Sequence, residues 1–174
     1  MFAPVKIEKI AVWRETEASP SPDVSFVPPL ARRRLTDLEK AALAVANEVY
    51  PHGEEIPVVF ASRWGEIGTT LKLMRQMHQE GEMSPAAFSS SVHNAAPGAW
   101  SLFAKNTAPY TAIAARERTY EMGLLEAEAQ LAAGPHRTVL YVYAEESTPV
   151  YFHEPFGRKE TAHAVALLLA ADGE

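Results

Sequence analysis

A chain of 174 residues, 47% hydrophobic and with a formal charge of -6, has the size and apolar content of one globular domain with a sizeable core. The acidic balance excludes non-specific nucleic-acid binding, which rests on clustered positive charge, and the lack of any cysteine excludes disulfides, thiolate metal sites and thiol nucleophiles. No run reaches the roughly 18 to 20 apolar residues of a membrane-spanning helix, and Met1-Phe-Ala-Pro-Val-Lys6 lacks the basic-then-apolar layout of a secretory signal, so a cytoplasmic protein without a membrane span is expected.

In chain order, Val5 to Trp13 alternates apolar and polar residues before running apolar, which predicts a strand entering a buried sheet. The stretch 14–35, rich in Ser, Pro and acidic residues, predicts a surface loop within a single domain spanning 1–174. Thr36 with Glu39 is a capping-box pair, and Leu38, Ala41, Ala42, Val45 and Val49 repeat at helical spacing up to Tyr50-Pro51. Pro57 to Ala61 is short and continuously apolar, as a strand buried on both faces would be. A second helix follows with Ile67, Leu71, Met74 and Met77 on one line and Gly81 at its end. Ser84-Pro85 opens a short helical turn, and Asn94 to Lys105 is a helix with Pro97 in its first turn. Strand Tyr110 to Ala115, helix Glu117 to Ala132 stopped by Gly134, and strand Thr138 to Ala144 come next. Pro149 to Phe152 reads as a short extended piece, Glu154 to Glu160 as a polar turn, and Ala162 to Ala171 as the last strand. Strands alternating with helices predict an α/β sandwich with a mostly parallel sheet.

The strong nucleotide motifs are missing: the chain contains neither G-x-G-x-x-G nor a lysine-bearing P-loop. Gly65 to Thr70 lies where backbone N–H groups meet anions, but Glu66 would repel phosphate and itself serve the helix dipole, so an ordinary helix start is expected. The six histidines form no H-E-x-x-H or equivalent pair, and Pro155 breaks any helix that would present His153-Glu154; no metal and no cofactor are expected. Ser89 to Ser91 with His93 offers a nucleophile and base for an acyl hydrolase or transferase, against the plainer reading of capping and loop hydrogen bonds. Arg32, Arg33 and Arg34 precede a helix start, where positive charge is the less favourable sign. Such a cluster suits either a solvated surface or an acidic partner such as an acyl carrier protein.

Four segments taken together resemble one family: Pro28-Pro-Leu-Ala-Arg-Arg-Arg-Leu35, Val59-Phe-Ala-Ser-Arg-Trp-Gly-Glu66, Ser84-Pro-Ala-Ala-Phe-Ser-Ser-Ser-Val-His-Asn-Ala95 and the closing Ala-Val-Ala-Leu-Leu-Leu. The resemblance is to the β-ketoacyl-synthase-like N-terminal domain of chain-length factors, especially those of aryl polyene clusters. It implies half of a thiolase-like fold: a five-stranded mixed, mostly parallel sheet with helices on both faces and the last strand antiparallel. The nucleophilic cysteine of ketosynthases would fall near Glu117, in a turn that carries Arg116-Glu117-Arg118 instead. Glu117 would then pair with Arg116 or Arg118, or serve the helix start. The second half of the fold, which supplies two catalytic histidines in the family, is not expected in this chain. The resemblance therefore implies a non-catalytic subunit paired with an active β-ketoacyl synthase and served by an acyl carrier protein, with the third strand pairing across the dimer. It places Ile67, Thr70, Met74, Phe88, His93, Asn94, Tyr110 and Ile113 at the acyl tunnel or partner interface, and Arg32 to Arg34 at the carrier docking site. Core packing is the competing reading for Ile67 and Met74.

Overall fold

The computed structural model describes residues 5–50, 53–152 and 160–171. Five strands form one sheet: β1 (Val5–Arg14), β2 (Val58–Ala61), β3 (Tyr110–Ile113), β4 (Thr138–Glu145) and β5 (His163–Ala171), in the order β1-β5-β4-β2-β3. β2 pairs in parallel with both β3 and β4, whereas β5 runs antiparallel to β4 and to β1. The mixed half-thiolase sheet expected from the sequence is the one that forms.

Helices α1 (Pro29–Arg32), α2 (Asp37–Val49), α3 (Ile67–Glu80), α4 (Pro85–Ser89), α5 (Ala95–Ala104) and α6 (Thr119–Ala133) complete the domain. α2 and α5 cover one sheet face, burying Leu38, Leu43, Val45 and Trp100 against Phe60, Leu140 and Leu168. α6 covers the other, over Val59, Ala61, Tyr141 and Leu167. β2, with a parallel neighbour on either side and helices over both faces, therefore needs apolar side chains on both faces and is buried at all four positions.

Local chemistry sets the helix limits. Thr36 Oγ1 accepts from Glu39 N at 3.0 Å and Glu39 Oε2 accepts from Thr36 N at 2.8 Å, so the capping box at the start of α2 is complete. Gly81 ends α3 at φ 74°, a left-handed conformation that glycine adopts without steric cost. At Gly123 the reason for glycine is space: a Cβ there would lie 2.7 Å from both Ala61 Cβ and Tyr141 Cε2, so α6 reaches β2 and β4 only because this side chain is a hydrogen.

Four expectations change. β1 is an edge strand, not a buried one; a bulge between Ile7 and Lys9 brings Ile7, Ile10 and Val12 onto one exposed face, which is why the alternation in the sequence breaks down. The stretch 14–35 contains α1 and buries Val24 and Val27. The apolar line on α3 does not face the core: Leu73 is its buried residue, while Met74 and Met77 are 64% and 48% exposed. Pro149 to Phe152 is not extended, because Phe152 N donates to Pro149 O at 2.9 Å and closes a 3-10 turn over Val150–Phe152. Most of the polar turn expected over Glu154 to Glu160 lies outside the described residues.

Candidate functional site

The C-terminal ends of β2, β3 and β4 converge on one rim of the sheet, where open α/β sheets bind ligands. The loop leaving β2 is held rigidly there. Glu145, 1% exposed at the end of β4, accepts from Arg63 N, from Ser62 Oγ at 3.2 Å and from Trp64 N at 3.4 Å. Ser62 Oγ accepts in turn from Gly65 N at 2.9 Å. Burial holds the Glu145 carboxyl above the usual carboxylate range, against the opposing pull of its three hydrogen bonds.

The turn from β3 into α6 carries the backbone signature of an elbow. Arg116 sits at φ 54°, outside the range a bulky L-residue adopts freely. Thr119, 1% exposed, fixes it: its hydroxyl accepts from Ala115 N at 2.9 Å and donates to Arg116 O at 2.7 Å. The strained position is therefore Arg116, one residue before Glu117. Nor does Glu117 pair with Arg116 or Arg118; its Oε1 takes the Arg63 guanidinium at 3.0 Å, and Arg63 also faces Glu160 at 3.6 Å and lies over the Trp64 ring at 4.8 Å. An exposed arginine and a paired carboxylate stand where a strand-to-helix elbow would present a nucleophile; neither forms a thioester.

The other residues singled out in the sequence divide among four places. Ile67, Thr70 and Met74 lie on α3, which packs on α4; Phe88 on α4 is 53% exposed. His93 leaves α4 and closes on the β2 loop, its Nε2 2.8 Å from Ser62 O and its Cδ2 3.0 Å from where a Gly65 Cβ would be. Asn94 is the N-cap residue of α5 but makes no side-chain cap bond. Tyr110 and Ile113 lie on the edge strand β3, where Tyr110 is 38% exposed. Arg32 to Arg34 stand at the end of α1, and Arg34 shares a pocket with Gly68, Lys72 and Glu146 beside that rim. Arg32 is committed to structure, donating to Ser25 O and Val27 O at 2.9 Å each, whereas Arg33 and Arg34 are exposed.

The geometry disfavours serine chemistry. Ser89 Oγ donates to Ala86 O at 2.7 Å and Ser91 Oγ to Phe88 O at 2.8 Å, while His93 uses its Nε2 on the Ser62 carbonyl and so carries its proton there. Among the described residues no group of three or more His, Cys, Asp or Glu is placed to hold a metal, and no helix is long and apolar enough to cross a membrane.

The model of the β-ketoacyl synthase N-terminal domain matches residues 8–174. The chain belongs to this family. Among solved structures, the domain superposes on a chain of a ketosynthase (ApeO) in complex with its chain length factor (ApeC) from Xenorhabdus doucetiae. The TM-score is 0.83 at 25% identity, over 97% of this chain and 79% of that one. The ishigamide ketosynthase/chain length factor follows with TM-score 0.74 at 16% identity, over 88% of this chain and 49% of that one. A type II polyketide ketosynthase with its acyl-carrier protein, AntDE:AntF, gives 0.72 at 13% identity, over 99% of this chain and 64% of that one. This ketosynthase-like domain thus spans about half to two thirds of the latter two, which share its fold. A comparison with curated protein sequences finds no match.

The residues that fix the rim were not singled out in the sequence. Glu145 acts on a loop more than eighty residues earlier, and Arg63 on a turn 54 residues later. Adjacent glutamates closing an otherwise apolar strand at Glu145-Glu146 were the available signal.

Proposed function

We propose that this ketosynthase-like domain is a non-catalytic chain-length-factor subunit that pairs with an active β-ketoacyl synthase and shapes the pocket for its growing acyl chain. The observation that carries the reading is the elbow: a strained strand-to-helix turn is kept, with Arg116 in it and no cysteine in the chain. The likeness to a ketosynthase and chain-length-factor complex supports the same assignment. Pairing accounts for surfaces that otherwise face water. β3 is an edge strand with unpaired backbone groups, and Met74, Met77 and Phe88 are exposed on neighbouring helices. Its place of action is the cytoplasm, in polyketide, aryl polyene or related fatty-acid-like synthesis.

In the complex, the exposed residues of α3 and α4 line or border the acyl tunnel, with Ile67, Thr70, His93 and Asn94 beside them and Tyr110 and Ile113 at the shared edge. The acyl carrier protein docks on Arg33 and Arg34, the two exposed members of the arginine cluster, and salt weakens that contact. Co-expression with an active β-ketoacyl synthase, followed by size measurement, tests the pairing: one co-eluting species is expected, and separate elution contradicts it.

Met74 and Phe88 test the pocket. Met74→Ala and Phe88→Ala should lengthen the products of the reconstituted pair and Met74→Trp should shorten them, because a packed tunnel wall responds to volume. Condensation should persist within about tenfold throughout, since neither side chain touches the reacting atoms. Unchanged product lengths across both series would remove these residues from the tunnel.

A further inference from the structure

Helix α3 is held at one end. Leu73 is its buried residue, and α4 is the element it packs on. Its N-terminus, by contrast, is tied down at several points. Gly68 N donates to Glu146 Oε1 at 2.6 Å, Gly65 N donates to Ser62 Oγ, and the Glu66 side chain is inserted beneath the capping box of α2. Thr36 Oγ1, which caps α2, donates to Glu66 Oε1 at 2.7 Å. Gly65 at φ 56° and Gly81 at φ 74° flank the helix, so both of its ends turn on glycine.

Glu66 is an unusual pin. It is 2% exposed, and its second oxygen, Oε2, is buried without a hydrogen-bond partner. The charged groups that act on it are acidic: Asp37 and Glu39 from α2, and Glu146 from the end of β4. Lys72 of α3 acts on Glu146 instead. Burial foremost, and these carboxylates after it, push the Glu66 carboxyl up to about 8. The expected helix-dipole role thus passes to Glu146, whose oxygen accepts from Gly68 N while Glu66 makes no cap bond.

We propose that Glu66 is a proton-operated latch: as a neutral carboxyl it seats the N-terminus of α3 on α2, and as a carboxylate it leaves its buried site and loosens the first turn of α3, which the Gly68–Glu146 bond then holds alone. The sign follows from the environment. A group whose folded-state pKa is raised binds its proton more tightly folded than unfolded, so its contribution to docking falls as pH rises from the ordinary 4.5 to about 8. The latch goes beyond the function proposed above and operates without a partner; its consequence for acyl length, through Ile67, Thr70 and Met74 on the loosened helix, rests on that reading.

Hydrogen exchange of the full chain between pH 6 and pH 9, normalised to intrinsic rates, reads the latch directly. Peptides covering 67–80 should lose about tenfold or more of their protection across this range, peptides of α6 should not, and Glu66→Gln should remove the pH dependence. Equal pH dependence in wild type and Glu66→Gln, or none in wild type, overturns the latch. Should Glu66→Gln not fold, carbon-13 titration of the wild-type Glu66 carboxyl decides: a midpoint above pH 7 with concurrent shifts in α3 sustains the latch, and titration at the ordinary 4.5 overturns it. Failure to bind a synthase would strike the proposed function and leave these readings unaffected.

Discussion

Gly123→Val should destabilise the domain by about 4 kcal/mol, enough to leave it largely unfolded at moderate urea. The added Cβ alone would sit 2.7 Å from Ala61 Cβ and from the Tyr141 ring, and neither neighbour yields readily. Ala61 belongs to a strand paired on both sides, and Tyr141, fully buried, is anchored by a hydrogen bond from its hydroxyl to Tyr120 O at 2.7 Å. The helix must therefore move away from the sheet, opening the apolar layer of Val59, Ala127 and Leu131 that lies between them. Leu125→Ala, on the 43% exposed side of α6, should cost under about 1 kcal/mol. Urea unfolding followed by circular dichroism measures both, and similar midpoints for the two variants would refute the close approach as the reason for glycine.

In the paired complex, replacing the partner's nucleophile should lower condensation by about 10³-fold or more, because no second group can form the acyl-enzyme. Arg116→Ala and Glu117→Ala should each leave the rate within about threefold, since a residue outside the reacting atoms contributes through packing alone. The Arg63–Glu117 pair is exposed on its glutamate side, so its loss is a small structural change. Turnover by this chain in the absence of a partner, or a large loss on Arg116→Ala, would assign chemistry to the elbow.

The parts of the fold legible in the sequence were those written in local spacing. Thr36 and Glu39 announce the start of α2 because a capping box needs four consecutive positions, and the apolar run of β2 announces a strand covered on both faces. The errors share a physical cause. Periodicity along α3 reports that Ile67, Leu71 and Met74 share one side of a helix; it carries no information about what covers that side, and here they are not buried. A bulge in β1 shifts the pleat by one residue and turns a clean alternation into a mixed one. Long-range polar contacts were invisible for the same reason: Glu145 reaching Arg63, and Thr36 reaching Glu66, join residues that only the sheet brings together. Resemblance places the family's nucleophile position near Glu117, and the positive φ at Arg116 beside it is a property of the folded turn that no spacing in the sequence announces.

On the proposed function, the acyl-enzyme forms on the partner and not on this chain. Intact-mass analysis of the co-purified complex, quenched during turnover with an acyl carrier protein substrate, tests it in one measurement. The acyl adduct should appear on the synthase polypeptide alone, with this chain at its unmodified mass. An acyl adduct on this chain would contradict the account.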